Sequence, residues 1–459
     1  MKVLFAAAEV DPFAKVGGLA DVAAALPQRL LEIGHDVRVV TPSHRSSSAA
    51  FSAATRRRIL PVPLPEGARN VEIATAEGTG GVPVDLVHDP HYFDRASVYG
   101  EPDDLMRYQF FCRVVVEMLK ADGWTPDILH LNDWHTAPLA FALRNLAWGN
   151  PVLRGVASVF TIHNLRYRGP DEYNDFLGQA IYYSDMVTTV SPSYAREILT
   201  PAYGEGFEPL LGLRGESLRG ILNGVNYDVF NPRTDTHLHT TYDLSFLSDR
   251  QANKPALRAE FGLPVTDGPL AGMVTRLAEQ KGVDIVLQAL PDIVAADAQL
   301  VVLGDGDEWL KRELTLLQDQ HPHHVRLAPR FDEGLARRIY AASDVFLMPS
   351  RYEPCGLGQI IAMRYGSVPI GRRTGGLSDT IFDLEEHPES ATGFLFDEFS
   401  SFAFAGAFER AVLAFRDPTL WRRLQANGMS RDFSWRASAT HYVETYNAAL
   451  RARGIVPLE

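Results

Sequence analysis

The stretch KVGGLADV, residues 15–22, closely follows the apolar run KVLFAAAEV (2–10), and its core returns at 374–380 as TGGLSDT. Each copy sets two glycines, a leucine, one further small residue and an aspartate beyond a strand-like segment. A Gly-Gly turn at that place lets a backbone approach a ligand closely, and the helix that follows favours an anion at its first turn. The same letters also suit a plain tight turn, with Asp21 and Asp379 in first helical turns for dipole reasons. Lys15 stands beside the first copy and Arg372 and Arg373 beside the second. One copy in each half of the chain points to two similar folding units and a ligand shared by them.

Short apolar runs alternate with segments of helical period on both sides of the midpoint. Strand candidates in the first half are KVLFAAAEV, HDVRVVTPS, VPVDLVHD, DILHLND, ASVFTIHN, MVTTVSP and LRGILNG. Leu19, Val22, Ala23, Leu26, Leu30 and Ile33 share one helical face, with Pro27 expected to kink that helix. RYQFFCRVVVEMLKADG and WHTAPLAFALRNLA read as further helices. The second half restarts with strands PLAGMVTR, AQLVVLGDG, HVRLAPRF, DVFLMPS and SVPIG, and with helices VDIVLQALPDIVAA, EWLKRELTLLQDQ and DEGLARRIYAA. Near-continuous apolar strands between helices predict parallel sheets covered on both faces, in an α/β chain of two doubly wound domains. Residues 230–254 lack a sustained period and read as the connection, so the boundaries fall at 1–245, 246–434 and 435–459, the last a helix expected to cross back to the first domain.

Composition narrows the function classes. The chain has 459 residues, 46% hydrophobic and 22% charged, enough to bury large cores without covalent staples. Two cysteines, Cys112 and Cys355, make a disulfide scaffold implausible and suit a reducing cytoplasm. Glu9 and Asp11 interrupt the first apolar run too early for a secretory leader, and no stretch reaches the length of a membrane span. A formal charge of −13 argues against nucleic acid as a partner. The basic run Arg56-Arg57-Arg58 reads as a solvated loop or sheet edge.

Polar residues gather at the expected carboxyl ends of strands, where a doubly wound fold builds its site. Asn132-Asp133-Trp134-His135 follow DILHL, His163-Asn164 follow ASVFTI, and Asn223-Gly224 follow LRGIL. In the second half, VTRLAEQKG (274–282) carries Arg276 and Lys281, a planar fork and a mobile point charge suited to a diphosphate. SRYEPCGLGQIIAMRYG (350–366) offers Glu353 to sugar hydroxyls and the backbone from Cys355 onward to an anion. GDGD (304–307) and HPHH (321–324) look superficially like metal motifs but lack ligand spacing. Neither a phosphate-binding G-x-x-x-x-G-K-[ST] element nor a G-x-S-x-G nucleophile motif occurs.

KVGGLADV, HLNDWHTA (130–137), TIHNLRYRG (161–169), TVSPSYAREI (189–198), LLGLRGESLRGILNGV (210–225), RLAEQKGVD (276–284), SRYEPCGLGQ (350–359) and RRTGGLSDT (372–380) occur in one order. That series resembles the bacterial glycogen synthases and plant starch synthases, glycosyltransferases of GT-B architecture with two Rossmann-like domains facing a deep cleft. The resemblance implies retaining transfer of glucose from ADP-glucose to the non-reducing 4-hydroxyl of an α-1,4-glucan, without cofactor or metal. It places Lys15, Gly17, Gly18 and Asp21 against the donor, with Thr374, Gly375 and Gly376 completing that site. Arg276 and Lys281 would neutralise the departing diphosphate. Glu353 and the Cys355-Gly356-Leu357 turn would hold glucose hydroxyls. Asp133, His163, Asn164 and Asn223 would line the sugar pocket, His163 through its backbone carbonyl. Gly358 stands where many members carry threonine, and Ile361 where related transferases carry a second glutamate. A UDP-glucose donor, and a non-catalytic sugar-binding protein on the same scaffold, are the competing expectations. The oligomeric state is open.

Overall fold

The computed structural model describes residues 1–121, 123–146, 149–169 and 175–455. The chain divides into two compact units, Met1–Gly224 with Trp435–Glu459, and Val225–Ser434. The boundary therefore falls at Gly224, not at 245. Residues 230–254 are not a loose connector but part of the second unit's core. Tyr242 and Leu247 are buried there, the Tyr242 hydroxyl donates to the Tyr365 carbonyl at 2.7 Å, and Arg250 donates to the carbonyls of Ser343 and Tyr365. Low periodicity concealed a segment held by hydrogen bonds rather than by an apolar stripe.

In the first unit, nine strands form one sheet in the order β3-β4-β5-β2-β1-β6-β7-β8-β9. They are β1 (Lys2–Ala6), β2 (Asp36–Pro42), β3 (Arg56–Leu64), β4 (Gly67–Glu77), β5 (Pro83–His88), β6 (Ile128–Asn132), β7 (Ala157–Ile162), β8 (Met186–Thr189) and β9 (Leu218–Gly220). Strand β1 pairs in parallel with β2 on one side and β6 on the other, Val3 lying opposite both Val37 and Ile128. The sheet is mixed, which corrects the all-parallel expectation: β3 and β4 form an antiparallel hairpin on one edge. Their inward residues Leu60, Val62 and Val71 alternate with exposed or half-buried ones, a period-2 pattern rather than a continuous buried run. Arg56, Arg57 and Arg58 lie on that edge strand with Pro61 and Pro63, charges and prolines that keep an edge from pairing with other chains.

The helix Gly18–Glu32 runs as one element through Pro27 and buries Leu19, Val22, Ala23, Leu26 and Leu30. Ile33 lies beyond its last turn and is 44% exposed, so it does not extend that face. The C-terminal helix Trp435–Ala452 belongs to the first unit and buries Trp435, Ala439, Tyr442, Tyr446 and Ala449 in the same core as Val3, Phe5 and Leu30. Residues 456–459 of the expected third segment lie outside the described residues.

The second unit carries a six-stranded parallel sheet in the order β12-β11-β10-β13-β14-β15. Its strands are β10 (Leu270–Val274), β11 (Gln299–Leu303), β12 (Val325–Ala328), β13 (Val345–Met348), β14 (Val368–Arg372) and β15 (Phe394–Phe396). The last is a three-residue strand that the sequence reading passed over. VDIVLQALPDIVAA forms two helices, Val283–Gln288 and Leu290–Ala295, the second opening with Pro291 in its first turn. In both units the direction of winding reverses once, between β1 and β6 and between β10 and β13. Those switch points leave a crevice at the carboxyl ends of the strands.

Candidate active site

At the first switch point, the loop after β1 carries Lys15, Gly17 and Gly18, and it is held by a residue the sequence reading had used only against a secretory leader. Glu9 is buried, and its Oε2 accepts the backbone N–H groups of Val16 and, at 3.1 Å, Gly17. Burial pushes the Glu9 carboxyl up, against the pull of those two bonds and of the Tyr99 hydroxyl. Lys15 projects from this loop half-exposed, with Nζ 2.5 Å from Asp21 Oδ1 and 3.8 Å from Asp11 Oδ2. The loop thus presents a cation on a backbone clamped from below.

Beside it, β6 and β7 deliver Asp133, His163 and Asn164. Asp133 has φ +54°, a left-handed conformation that aspartate tolerates better than most residues. Its Oδ1 accepts the His163 N–H at 2.8 Å, and the Asn164 N–H binds the same carboxylate. Burial nevertheless pushes the Asp133 carboxyl up to about 7, with the Glu9 charge adding to the rise. Asn132 fixes the imidazole: its amide donates to the Ala6 carbonyl at 3.0 Å, so its Oδ1 faces His163 Nε2 at 2.9 Å. Nε2 therefore carries the proton. Burial lowers the His163 pKa to about 4, so the ring is neutral near pH 7. Asn223 is buried, and its Oδ1 accepts no hydrogen bond among the described residues.

At the second switch point, Arg276 and Lys281 follow β10, and Glu353 follows β13. Lys281 Nζ lies 3.0 and 2.7 Å from the two Glu353 carboxylate oxygens, and the Ser350 hydroxyl donates to Oε2 at 2.8 Å. Glu353 is buried; Arg276 is exposed and, among the described residues, donates only to Gln280 Oε1, at 3.2 Å. The loop bearing both cations is pinned to the GDGD turn by backbone bonds from Leu277 to Asp305 and from Asp307 to Leu277. In that turn Asp305 pairs with Lys311 at 2.9 Å, and no group of three or more metal-ligating side chains occurs among the described residues.

Glu353-Pro354-Cys355-Gly356 and Thr374-Gly375-Gly376 pack directly on each other: the Gly376 N–H donates to the Glu353 carbonyl at 3.1 Å. Gln359, also absent from the sequence reading, is fully buried and ties them together, its amide reaching the carbonyls of Cys355 and Gly356 and the Thr380 hydroxyl. Leu357 precedes the helix Gly358–Arg364. A Cβ at Gly358 would lie 3.1 Å from Met348 Sδ and 3.2 Å from Phe346 Cε1. Glycine at that position therefore matches a core already filled by Met348 and Phe346, and Ile361 is buried in the same cluster. Arg372 and Arg373 are not a free anion cradle. Arg373 pairs with Glu386 and Asp397 at 2.5 and 2.9 Å, and Arg372 donates to the carbonyls of Arg351 and Asp397.

Residues 2–212 match the family described as starch synthase catalytic domain, and residues 254–428 match glycosyl transferases group 1. A glycogen synthase from Syntrophotalea carbinolica is 43% identical over 98% of this chain and 99% of its own, and glycogen synthase 2 from Geobacter sulfurreducens is 41% identical over 99% and 100%. The chain belongs to the glycogen and starch synthase family. The catalytic domain of starch synthase IV from Arabidopsis thaliana, solved with ADP and acarbose, superposes with a TM-score of 0.87 at 35% identity, covering 98% of this chain and 99% of that one. The chain is thus a glycosyltransferase of GT-B fold. Among the described residues, no helix is long and apolar enough to cross a membrane.

Proposed function

We propose that the protein elongates an α-1,4-glucan, transferring glucose from ADP-glucose to a non-reducing 4-hydroxyl with retention at the anomeric carbon, in the cytoplasm. The observation that carries this reading is the pair of part-buried Lys281 with buried Glu353 at a switch point, with Arg276 exposed on the same loop. Breaking the bond to ADP builds negative charge on the diphosphate and positive charge on the sugar ring. Cations held in place at one end and oxygens at the other lower the barrier because they need no reorganisation. Arg276 and Lys281 serve the diphosphate, and Glu353 with the Cys355-Gly356-Leu357 turn serves the glucose hydroxyls. Thr374, Gly375 and Gly376 support that turn. On the first unit, Lys15, Gly17, Gly18 and Asp21 serve the donor, and Asp133, His163, Asn164 and Asn223 the sugar; the buried Asn223 Oδ1 has no hydrogen-bond partner among the described residues and suits a sugar hydroxyl.

Retention by two flanking carboxylates is less well supported, because Ile361 puts an apolar side chain where a second glutamate would stand. We favour same-face attack, in which the leaving diphosphate accepts the proton of the acceptor hydroxyl. A trapped glucosyl ester on Glu353 would refute that route. The donor is tested by incorporation of labelled glucose into glycogen from ADP-glucose and from UDP-glucose, with no metal added. Incorporation from ADP-glucose is expected. Preference for UDP-glucose would correct the base, and none from either, in a folded protein, would leave only a sugar-binding role.

A further inference from the structure

Far along the first sheet from Asp133, at the start of β8, a cavity of about 950 Å³ is lined by Arg144, Arg154, Arg214 and Arg453 together with Tyr182 and Leu213. Among the described residues no carboxylate lines it, in a chain whose formal charge is −13. Arg144, Arg214 and Arg453 face Asp185, which is buried and already committed: its Oδ2 accepts the Ser158 N–H and hydroxyl at 2.8 and 2.9 Å. Its Oδ1 takes Arg144 at 2.9 Å and leaves Arg453 at 4.0 Å.

Among the described residues, Arg144, Arg214 and Arg453 thus share the single carboxylate of Asp185. Arg453 is 9% exposed at its side chain, and its guanidinium makes no hydrogen bond among the described residues. Arg214 spends its terminal nitrogens on the carbonyls of Tyr182, Ser184 and Asp185, while its Nε is buried without a partner. Burial, with Arg144 nearby, lowers the pKa of both Arg214 and Arg453. A buried guanidinium without an anion is costly, and a planar fork matches phosphate. Tyr182 is 59% exposed and Leu213 78%, an apolar rim on which the face of a sugar ring can lie.

We propose that this cavity binds a small organic phosphate, a phosphomonoester carried on a sugar or polyol, at a site separate from the residues assigned to the donor. The test is calorimetric titration of the full chain with glucose 1-phosphate, inorganic phosphate and maltotetraose as separate probes. ADP is kept saturating so that the residues assigned to the donor diphosphate are occupied. Both phosphates are expected to bind, the sugar phosphate more tightly and both more weakly as salt rises. Arg154→Gln should weaken both about tenfold, the loss of one charge-assisted contact. Tyr182→Ala should weaken glucose 1-phosphate several-fold and leave inorganic phosphate unchanged. Both substituted side chains are exposed, and unaltered ADP binding reports that the variants fold. Absence of phosphate binding up to about 10 mM, where affinity falls below a few kcal/mol, overturns the proposal. So does phosphate affinity unchanged in both variants, or maltotetraose binding that they abolish.

Discussion

The two Gly-Gly-Leu turns share their letters and not their reasons. At 375–376 the glycines are required by the chain itself. Gly375 has φ +45°, and a Cβ on it would lie 2.1 Å from the Glu353 carbonyl oxygen; one on Gly376 would lie 1.9 Å from that of Cys355. At 17–18 nothing in the first unit asks for glycine. Gly17 is extended at φ −141°, its nearest Cβ neighbour would be Glu9 Oε1 at 3.6 Å, and a Cβ on Gly18 meets nothing within 4 Å. The second turn is glycine so that two loops can touch. The first is glycine with open space above a clamped backbone, which fits close approach of a ligand. A repeated motif therefore marks neither equivalent work nor equivalent places: the first copy follows β1, beside its sheet's switch point, and the second follows β14, one strand beyond the β10–β13 switch.

The largest effect expected from this contrast is on stability. Gly376→Ala should cost about 3 kcal/mol, because the methyl meets a carbonyl oxygen fixed in the neighbouring turn. Urea unfolding measures it, and a variant as stable as the parent would break the packing account. Gly18→Ala should behave in the opposite way. Alanine in the first helical turn stabilises by up to about 1 kcal/mol. Glucose transfer should meanwhile fall about tenfold, the equivalent of roughly 1.4 kcal/mol of lost transition-state binding. Full activity in a stable Gly18→Ala protein would make the first turn as structural as the second.

The same contrast explains what was legible in the sequence. Asp133 and His163 stand at strand ends, Lys281 and Glu353 in the loops that follow β10 and β13, and periodicity placed those strands. The first pair of glycines located its switch point, whereas the second pair follows β14, one strand away from the switch between β10 and β13. What escaped were residues whose role depends on contacts distant in sequence. Gln359 reaches Thr380 across 21 positions, and Glu9 reaches the backbone of Val16 and Gly17 by folding a loop back on itself. A lone glutamate after an apolar strand carries no period and no spacing. Its only signal was oddity, a carboxylate set into an otherwise apolar run. The β3–β4 hairpin escaped because its arginines and prolines obscured a strand whose inward positions are still apolar.

Glu9 gives a sharper version of the comparison, since no such carboxylate clamp is needed where glycines pack on backbone. Glu9→Gln keeps the volume and one carbonyl acceptor but loses the charge that strengthens two N–H bonds. It should cost about 1 kcal/mol of stability. As a positioning residue, it should raise the KM for the nucleotide sugar more than it lowers kcat, because it sets the place of Lys15 and not the chemistry. An equal fall in kcat and kcat/KM, with KM unchanged, would instead put Glu9 in the transition state.

The last effect is one of slope, and it separates Asp133 from its neighbour. The Asp133 carboxyl is raised from 3.8 to about 7, so between those values the folded chain holds a proton that the unfolded chain has released. Its contribution to stability is complete below 3.8 and is lost as pH rises toward 7. His163, lowered from 6.5 to about 4, acts in the other direction: its contribution is present above 6.5 and is lost as pH falls toward 4. The two slopes oppose each other over most of the same window. Asp133→Asn retains a side-chain oxygen for the His163 and Asn164 N–H groups and a residue type that accepts positive φ, while removing one titration. Stability measured by urea at successive pH values should then rise more steeply through the acidic range than in the parent, by up to about 1.4 kcal/mol per pH unit. Parallel profiles would mean that the two backbone N–H bonds outweigh burial and that Asp133 stays ionised. In that case the first unit would present a fixed negative charge beside the neutral His163, as the second presents Glu353 beside Lys281.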